Sequence, residues 1–377
     1  MPLQEVLMLA RSRQQGVPII LKHPAAAVSA VSTFLTGFRG QTMYAVKANP
    51  CPDLLRTLWE SGLRSFDVAS IHEIRNVRSL LPYANLNFMN PIKSEQAIRE
   101  AFTSHNVRCF SFDTATELRK ILRVTGQDVA VTKTLTLCLR IQVESSHARL
   151  NMSRKFGATA GEAVTLLKAA RMQAQILGIC FHVGSQSMDP DAHRQGLIKA
   201  DNIALEAGVK IDWMSVGGGF PVPYPGMNPP PPIHYFDVIH STIAELPRLR
   251  EAQLWCEPGR ALSAEYNSIV ARVEAVKKNS AYINNGLYGD LHDPARYNWP
   301  VDATLLCDLT DPGDLGDFSL YGPTCDDDDF IRGPIRLPKK IAPGDAIWFR
   351  NVGAYGTALR TKFNGCHVED EEYFVTG

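Results

Sequence analysis

The sequence predicts an α/β protein: a (β/α)8, TIM-like barrel followed by a C-terminal, mainly antiparallel β-domain. Three observations carry this expectation. From about residue 40 to 240, short apolar runs alternate with amphipathic helical stretches. At least seven such units fit within about 200 residues. After Pro221 the pattern turns strand-rich. Strands separated by full helices must pair in parallel through crossovers, and this many units in so short a span favour a closed barrel over an open sheet.

Taken in order, TMYAVKA precedes a helix expected over 51–62, SFDVAS one over 71–81, and NLNFMN one over 94–104. RCFSFD precedes a helix over 114–124, LTLCLRI one over 160–174, GICFHVG one over 190–207, and DWMSVGGG closes the series. The stretch 221–232 (PVPYPGMNPPPP) holds seven prolines and reads as an extended, stiff connection that could lie over the barrel. Beyond it, LWCEPG, NSIVARVEAVKK, AYINNG, ATLLC, DFSLYGPT and DAIWFRNVGAY read as strands of the β-domain, to which VPIILKH near the N-terminus adds one more. The expected division is a barrel over 22–245 and a β-domain made of 1–21 and 246–377. No internal repeat or heptad is visible.

Composition narrows the function classes. Lysine plus arginine and aspartate plus glutamate both number 39, so no basic field marks a nucleic-acid binder. No apolar run approaches the length of a membrane span, and the N-terminus lacks the pattern of a secretory signal. The eight cysteines are scattered without a Cys-x-x-Cys pair, and several sit in apolar runs as small core residues. A reducing, cytoplasmic setting is expected. No His/Cys pairs have ligand spacing, so no metal is expected, and neither nucleotide-binding glycine fingerprint occurs.

In a barrel, functional side chains gather at the C-terminal strand ends. The polar residues ending the apolar runs are Lys47, Asp67, Asn90, Arg140, His182 with Ser185, and Gly217 to Gly219. Lys47 ends an apolar run, and a desolvated ammonium there would become a nucleophilic amine suited to an aldehyde cofactor. The glycine run lets main-chain amides converge on an anion. Glu257 could hold a protonated pyridine nitrogen, and Arg260 could bind a phosphate or carboxylate. Each feature alone also has an ordinary reading: a snorkelling lysine, a tight turn, a rim ion pair, a core histidine. A second cluster joins Cys325 and Asp326 to Asp327, Asp328 and Asp329, a run that reads as a solvated acidic loop or a selector of cationic groups.

Together, YAVKANP, FDVAS, SRKFG (Ser153 to Gly157), FHVGSQ, VGGGFP, EPGR, GPTCD and GAY resemble the fold-type III pyridoxal-phosphate decarboxylases. This is the family of ornithine, lysine, arginine and diaminopimelate decarboxylases, with an alanine racemase-like fold. The motifs stand in the family's order over residues 43 to 356 and match the ornithine decarboxylase branch most closely. The resemblance implies that Lys47 is the Schiff-base lysine, that Asp67 sits beside it, and that His182 stacks on the pyridine ring. It implies a phosphate site of Ser185, Gly218, Gly219 and Arg260 with Tyr355 as a further contact, and Glu257 on the pyridine nitrogen. Cys325 would be the proton donor, with Asp326 and Tyr297 at the substrate, in active sites shared across a homodimer. The implied activity is decarboxylation of a basic amino acid, with L-ornithine or L-lysine foremost. Arginine, a D-amino acid or a biosynthetic intermediate stands behind these, and a racemase or a non-catalytic regulatory homologue further back.

Two departures stand out. Where the family commonly has Asp-Gly, this chain reads Asn284-Asn285-Gly286. Where eukaryotic ornithine decarboxylases carry Tyr-Asp, it has Tyr297-Asn298, which removes a carboxylate otherwise expected on the distal amine.

Overall fold

The computed structural model describes residues 3–12, 16–129, 133–144, 148–150, 154–306 and 313–375. Ser153 of the SRKFG motif and Cys307 lie outside the described residues. The chain begins with helix α1 (Leu3–Ser12), strand β1 (Ile19–Lys22) and helix α2 (Pro24–Gly37). Alternation then sets in: β2 (Gln41–Ala45), α3 (Pro52–Glu60), β3 (Ser65–Val68), α4 (Ile71–Leu80), β4 (Asn85–Phe88) and α5 (Glu95–Ser104). It continues with β5 (Cys109–Phe112), α6 (Ala115–Thr125), β6 (Thr136–Arg140), β7 (Ala148–Leu150), α7 (Ala160–Arg171) and β8 (Ile176–Cys180). β9 (Ser185–Ser187), α8 (Asp191–Ala207), β10 (Trp213–Ser215), α9 (Pro232–Glu245) and β11 (Gln253–Cys256) complete it.

Eight of these strands close a parallel barrel in the order β10-β11-β2-β3-β4-β5-β6-β8. The expected barrel is therefore present, and the six expected helices from 51 to 207 fall within a few residues of their observed bounds. Each start has a chemical cause. Ser70, Ser94 and Thr114 accept from the backbone N–H of Glu73, Ala97 and Glu117, while Glu162 accepts from both the N–H and the hydroxyl of Thr159. Each such cap stabilises its helix by about 1 kcal/mol. Gly126 and Gly208 end α6 and α8 in the left-handed region. One layer of the barrel core is filled by Met43, Met89, Cys109, Cys138, Cys180 and Trp213, with Trp255 packed against it. Three of the scattered cysteines are thus core residues.

The expected boundary at residue 245 falls one strand short. LWCEPG contributes β11, whose Trp255 and Cys256 pair with Gln41 and Thr42 to close the barrel. The reason is topological: seven strands leave an open edge, and β11 satisfies the backbone of both β2 and β10. By compactness, one unit comprises Ala30–Val222 and Pro229–Ala261, and the other Met1–Ser29, Pro223–Asn228 and Leu262–Gly377. The proline-rich segment is not one uniform connection. Tyr224 and Met227 form a bridge within a turn, and Pro232 opens α9, where a missing N–H costs nothing.

The second unit contains α10 in part (Arg260–Ser263), β12 (Asn267–Lys277), β13 (Ser280–Ile283), α11 (His292–Tyr297), β14 (Asp302–Leu306), β15 (Leu315–Tyr321), β16 (Phe330–Pro338), β17 (Ala346–Arg350) and β18 (Glu371–Phe374). Its sheet runs β14-β17-β12-β13-β15-β16, with β1 pairing β12 and β18. Pairing is mainly antiparallel, with β13–β15 and β1–β18 parallel. β16 is not evident from the sequence because Gly333-Pro334 interrupts it; as the edge strand of this path it tolerates a proline.

Candidate active site

Lys47 lies just after β2, in a single 3-10 turn (Val46–Ala48). The Tyr44 hydroxyl donates to the Asn49 carbonyl at 2.9 Å, and the Asn49 side chain caps the Cys51 N–H at 3.0 Å, fixing the chain on either side of the lysine. Lys47 Nζ donates to Asp67 Oδ2 at 3.2 Å, with the lysine side chain 36% exposed and the aspartate 2%. The amine is therefore not simply desolvated by apolar neighbours. Its position is set by a buried counter-charge from β3.

On the neighbouring strand, Glu257 follows β11 and is buried. Its carboxyl is pushed well above the usual glutamate range by burial first and by Asp67 second; the Ser215 hydrogen bond, Lys47 and Arg140 oppose this. Ser215 Oγ donates to Glu257 Oε1 at 2.5 Å and accepts from the Gly217 N–H at 3.2 Å. A buried carboxyl strained toward its neutral form gains most from a cationic N–H partner.

His182 ends the β8 run. Its Nδ1 accepts from the Gly184 N–H at 2.9 Å, which places the ring proton on Nε2. Burial, with Arg140 and Lys47 nearby, drives its pKa well below the usual value, so the ring is neutral. Beyond it, Arg260 Nε donates to Ser185 Oγ at 3.3 Å, and both residues are buried. Gly217 and Gly219 have φ of +67° and +95°. A Cβ on Gly218 would stand 2.7 Å from the Glu257 carbonyl oxygen and 3.2 Å from His182 Nε2. Lysine, neutral imidazole, raised carboxyl, serine, arginine and a side-chain-free glycine turn thus fit a phosphorylated pyridine aldehyde. The barrel brings Lys47, Asp67, His182, Ser185, Gly218 and Gly219 from the expected strand ends together with Glu257 and Arg260.

The remaining expected residues lie in the other unit. Cys325 is exposed, and its N–H donates to Asn364 Oδ1 at 3.1 Å. Asp326 accepts a short hydrogen bond from the Tyr288 hydroxyl and another from the Asp328 N–H at 3.0 Å; these bonds lower its pKa. The four aspartates are not equivalent, which corrects the reading of a uniformly solvated run. Asp329 is 1% exposed and accepts from Leu287 N, Thr324 N and Thr324 Oγ1 at 2.7 to 3.1 Å, tying two loops together. Tyr355 adopts φ +59°, an uncommon backbone state for a side-chain-bearing residue. Tyr297 is 41% exposed at the end of α11, with its ring edge-on to His292. Asn298 then caps that helix at φ +49°, a conformation asparagine tolerates better than most residues. Among the described residues no group of three or more His, Cys, Asp or Glu is placed to hold a metal ion, and no helix is long and apolar enough to cross a membrane.

Three supporting residues are not among those picked from the sequence. Ser215 was hidden inside an apolar run. His193, on α8, is fully buried, stacks on Phe220, and sets its Nε2 3.1 Å from the Gly218 carbonyl. Gln186, at φ +56°, pairs through its amide with both backbone polar groups of Val222. Nothing local in the sequence marks either partner.

Comparison with known proteins agrees with this geometry. Residues 23–264 match the family model for the pyridoxal-binding domain of pyridoxal-dependent decarboxylases. The lysine/ornithine decarboxylase of Selenomonas ruminantium is 31% identical over 88% of this chain and 82% of its own. The arginine decarboxylase of Paramecium bursaria Chlorella virus superposes with a TM-score of 0.87 at 26% identity, covering 99% of this chain and 100% of that one. A lysine/ornithine decarboxylase from Vibrio vulnificus, solved with putrescine, gives 0.83 at 26% identity over 99% and 98%. The chain belongs to the fold-type III pyridoxal-phosphate-dependent decarboxylases, in the ornithine decarboxylase branch. It is a pyridoxal-phosphate-dependent amino-acid decarboxylase.

Proposed function

We propose that the protein decarboxylates a basic amino acid, L-ornithine or L-lysine, to the corresponding diamine and carbon dioxide. The observation that carries this reading is the meeting of Lys47–Asp67, Ser215–Glu257 and Ser185–Arg260 at one end of one barrel, with a second loop offering a thiol beside an ionised carboxylate.

Bound pyridoxal phosphate supplies an aldehyde carbon for amine exchange and a pyridinium that withdraws electrons from the substrate Cα. Lys47 would hold the aldehyde carbon, Glu257 the ring nitrogen, and Ser185, Arg260 and the amides at Gly218 and Gly219 the phosphate. Tyr355 would add a phosphate contact and His182 would stack on the ring, its neutrality avoiding repulsion with a pyridinium. Asp67 would orient the Lys47 amine through their hydrogen bond. Cys325 would supply a proton to the substrate Cα, and Asp326, kept ionised by Tyr288, would receive the distal ammonium. Tyr297 would contact the substrate. In a homodimer, Cys325 and Asp326 serve the barrel of the second copy.

The test is a substrate panel. Purified protein supplied with cofactor is incubated with L-ornithine, L-lysine, L-arginine, their D-forms and meso-diaminopimelate, with carbon dioxide and amine measured together. Release of both from ornithine or lysine is expected, and Lys47→Ala abolishes it along with the visible absorbance of bound cofactor. Bound cofactor with no carbon dioxide from any member overturns the reading. Mixing inactive Lys47→Ala and Cys325→Ala chains restores activity only if sites are shared between copies.

A further inference from the structure

The segment from Thr357 to Asp370 has no sheet ladder to position it, only two short 3-10 turns at Thr357–Leu359 and Phe363–Gly365. Its placement depends on side chains, and these converge on one buried carboxylate. Asp290, 3% exposed, accepts from Asn285 Nδ2 at 2.9 Å, from Thr357 Oγ1 at 2.9 Å, and from Arg360 Nη2, which spans both oxygens at 2.9 and 2.7 Å. Arg360 is also largely buried, and its Nη1 donates to Asp370. One guanidinium therefore ties residues 290, 360 and 370 together.

What this knot holds is the acid loop. Immediately after Arg360, the Thr361 N–H donates to the Tyr288 carbonyl at 2.9 Å. The Phe363 ring then packs 4.9 Å from the Tyr288 ring, and Asn364 accepts from the Cys325 N–H at 3.1 Å. Tyr288, two residues before Asp290, donates its hydroxyl to Asp326. The two sides of the knot thus hold one residue each of the thiol–carboxylate pair: Asn364 holds the backbone of Cys325, and Tyr288 holds the side chain of Asp326. The Asp290–Arg360 pair, with the Thr361–Tyr288 bond beside it, ties those two grips together. Asn285 fits the same logic, since an aspartate at 285 would set a second carboxylate against Asp290, whereas its amide donates.

We infer that the Asp290–Arg360 ion pair is a positioning device that fixes the orientation of the adjacent Cys325 and Asp326, and so sets proton delivery and chain-length selectivity. This inference rests on the function proposed above. A charged pair is suited to the task because its buried members cannot relax apart without leaving an unpaired charge. Reaction geometry is sensitive to displacements of about 1 Å, on the order of 100-fold in rate.

The experiment compares wild type with Arg360→Met, Arg360→Lys and Asp370→Asn as loaded enzymes, well below each melting temperature. It measures cofactor affinity, cofactor absorbance, and kcat and KM for ornithine and lysine. Arg360→Met is expected to keep cofactor affinity within about twofold and to lower kcat/KM by roughly 10- to 100-fold, with the ornithine-to-lysine ratio moving toward unity. Arg360→Lys, which keeps the charge but not the fork, and Asp370→Asn are expected to fall between. If Arg360→Met does not fold, these two carry the test by the same criteria. Wild type that decarboxylates neither substrate removes the underlying function. Active wild type whose folded variants keep both kcat/KM and the substrate ratio within about twofold overturns the positioning role alone, as does a loss of activity that follows the loss of folded protein with the ratio unchanged.

Discussion

Ser215→Ala removes one oxygen from the middle of the barrel and tests how the ring-nitrogen carboxylate is tuned. Ser215 is fully buried and its hydroxyl donates to Glu257 Oε1 at 2.5 Å. A hydrogen bond to an ionised group is worth about 1.5–3 kcal/mol, and a neutral one about 0.5–1.5. The bond opposes the upward shift of Glu257 that burial and Asp67 impose, so its loss raises that carboxyl further. The sign for cofactor-free protein follows by linkage. A carboxyl raised on folding contributes stability that is complete below its unfolded value of 4.5 and is lost as pH rises through the folded value. The variant should therefore lose more stability at pH ~8 than at pH ~5, by about 1–2 kcal/mol, the difference between the two kinds of hydrogen bond. Since a pyridinium is held by the ionised form, cofactor affinity near neutral pH should fall by the same amount, roughly 5- to 30-fold. Melting of cofactor-free protein at the two pH values, with cofactor titration by absorbance, reads both effects. Equal destabilisation at the two pH values together with an unchanged affinity would refute the reasoning.

Further outcomes follow from the same geometry. His193→Phe keeps the stack on Phe220 but removes the donor to the Gly218 carbonyl, so cofactor affinity should fall while pyridoxal lacking the phosphate binds as before; about 1–3 kcal/mol is at stake. Gly218→Ala pushes a methyl against the Glu257 carbonyl at 2.7 Å, and cofactor titration should show a loss of at least tenfold, with the melting temperature lowered as well. Glu117→Gln leaves Lys93, whose side chain is fully buried 3.1 Å away, without its charged partner. Urea unfolding should show a loss of about 3–5 kcal/mol, and adding Lys93→Met should recover part of it. Cys325→Ala should keep the cofactor spectrum while abolishing amine release, a separation that single-turnover measurements of carbon dioxide and amine would show.

The barrel was legible because its information is local. Short apolar runs, Ser and Thr caps and closing glycines each act within a few residues, and they set strand, helix and boundary without reference to the rest of the chain. The strand-end rule groups Lys47, Asp67, Asn90, Arg140, His182 with Ser185, and Gly217 to Gly219 on one rim, since parallel strands deliver their C-terminal ends to the same side. Two elements escaped for physical reasons. β11 carries no mark of which sheet it joins, and only closure of the ring assigns it. β16 carries an internal proline that only an edge position makes acceptable.

What the sequence determined by itself was the list of chemical groups and the elements that carry them. Tertiary structure alone decided their electrostatic state and their partners. Lys47 meets Asp67, 20 residues away; Glu257 meets Ser215, 42 away; and Arg360 meets Asp290, 70 away. Of four adjacent aspartates, one is buried as a tie between loops and one is held ionised by a tyrosine hydroxyl. The cause is the range of the forces involved. Caps and periodicity depend on neighbours along the chain, whereas desolvation and charge pairing depend on neighbours in space, which exist only once the chain has folded.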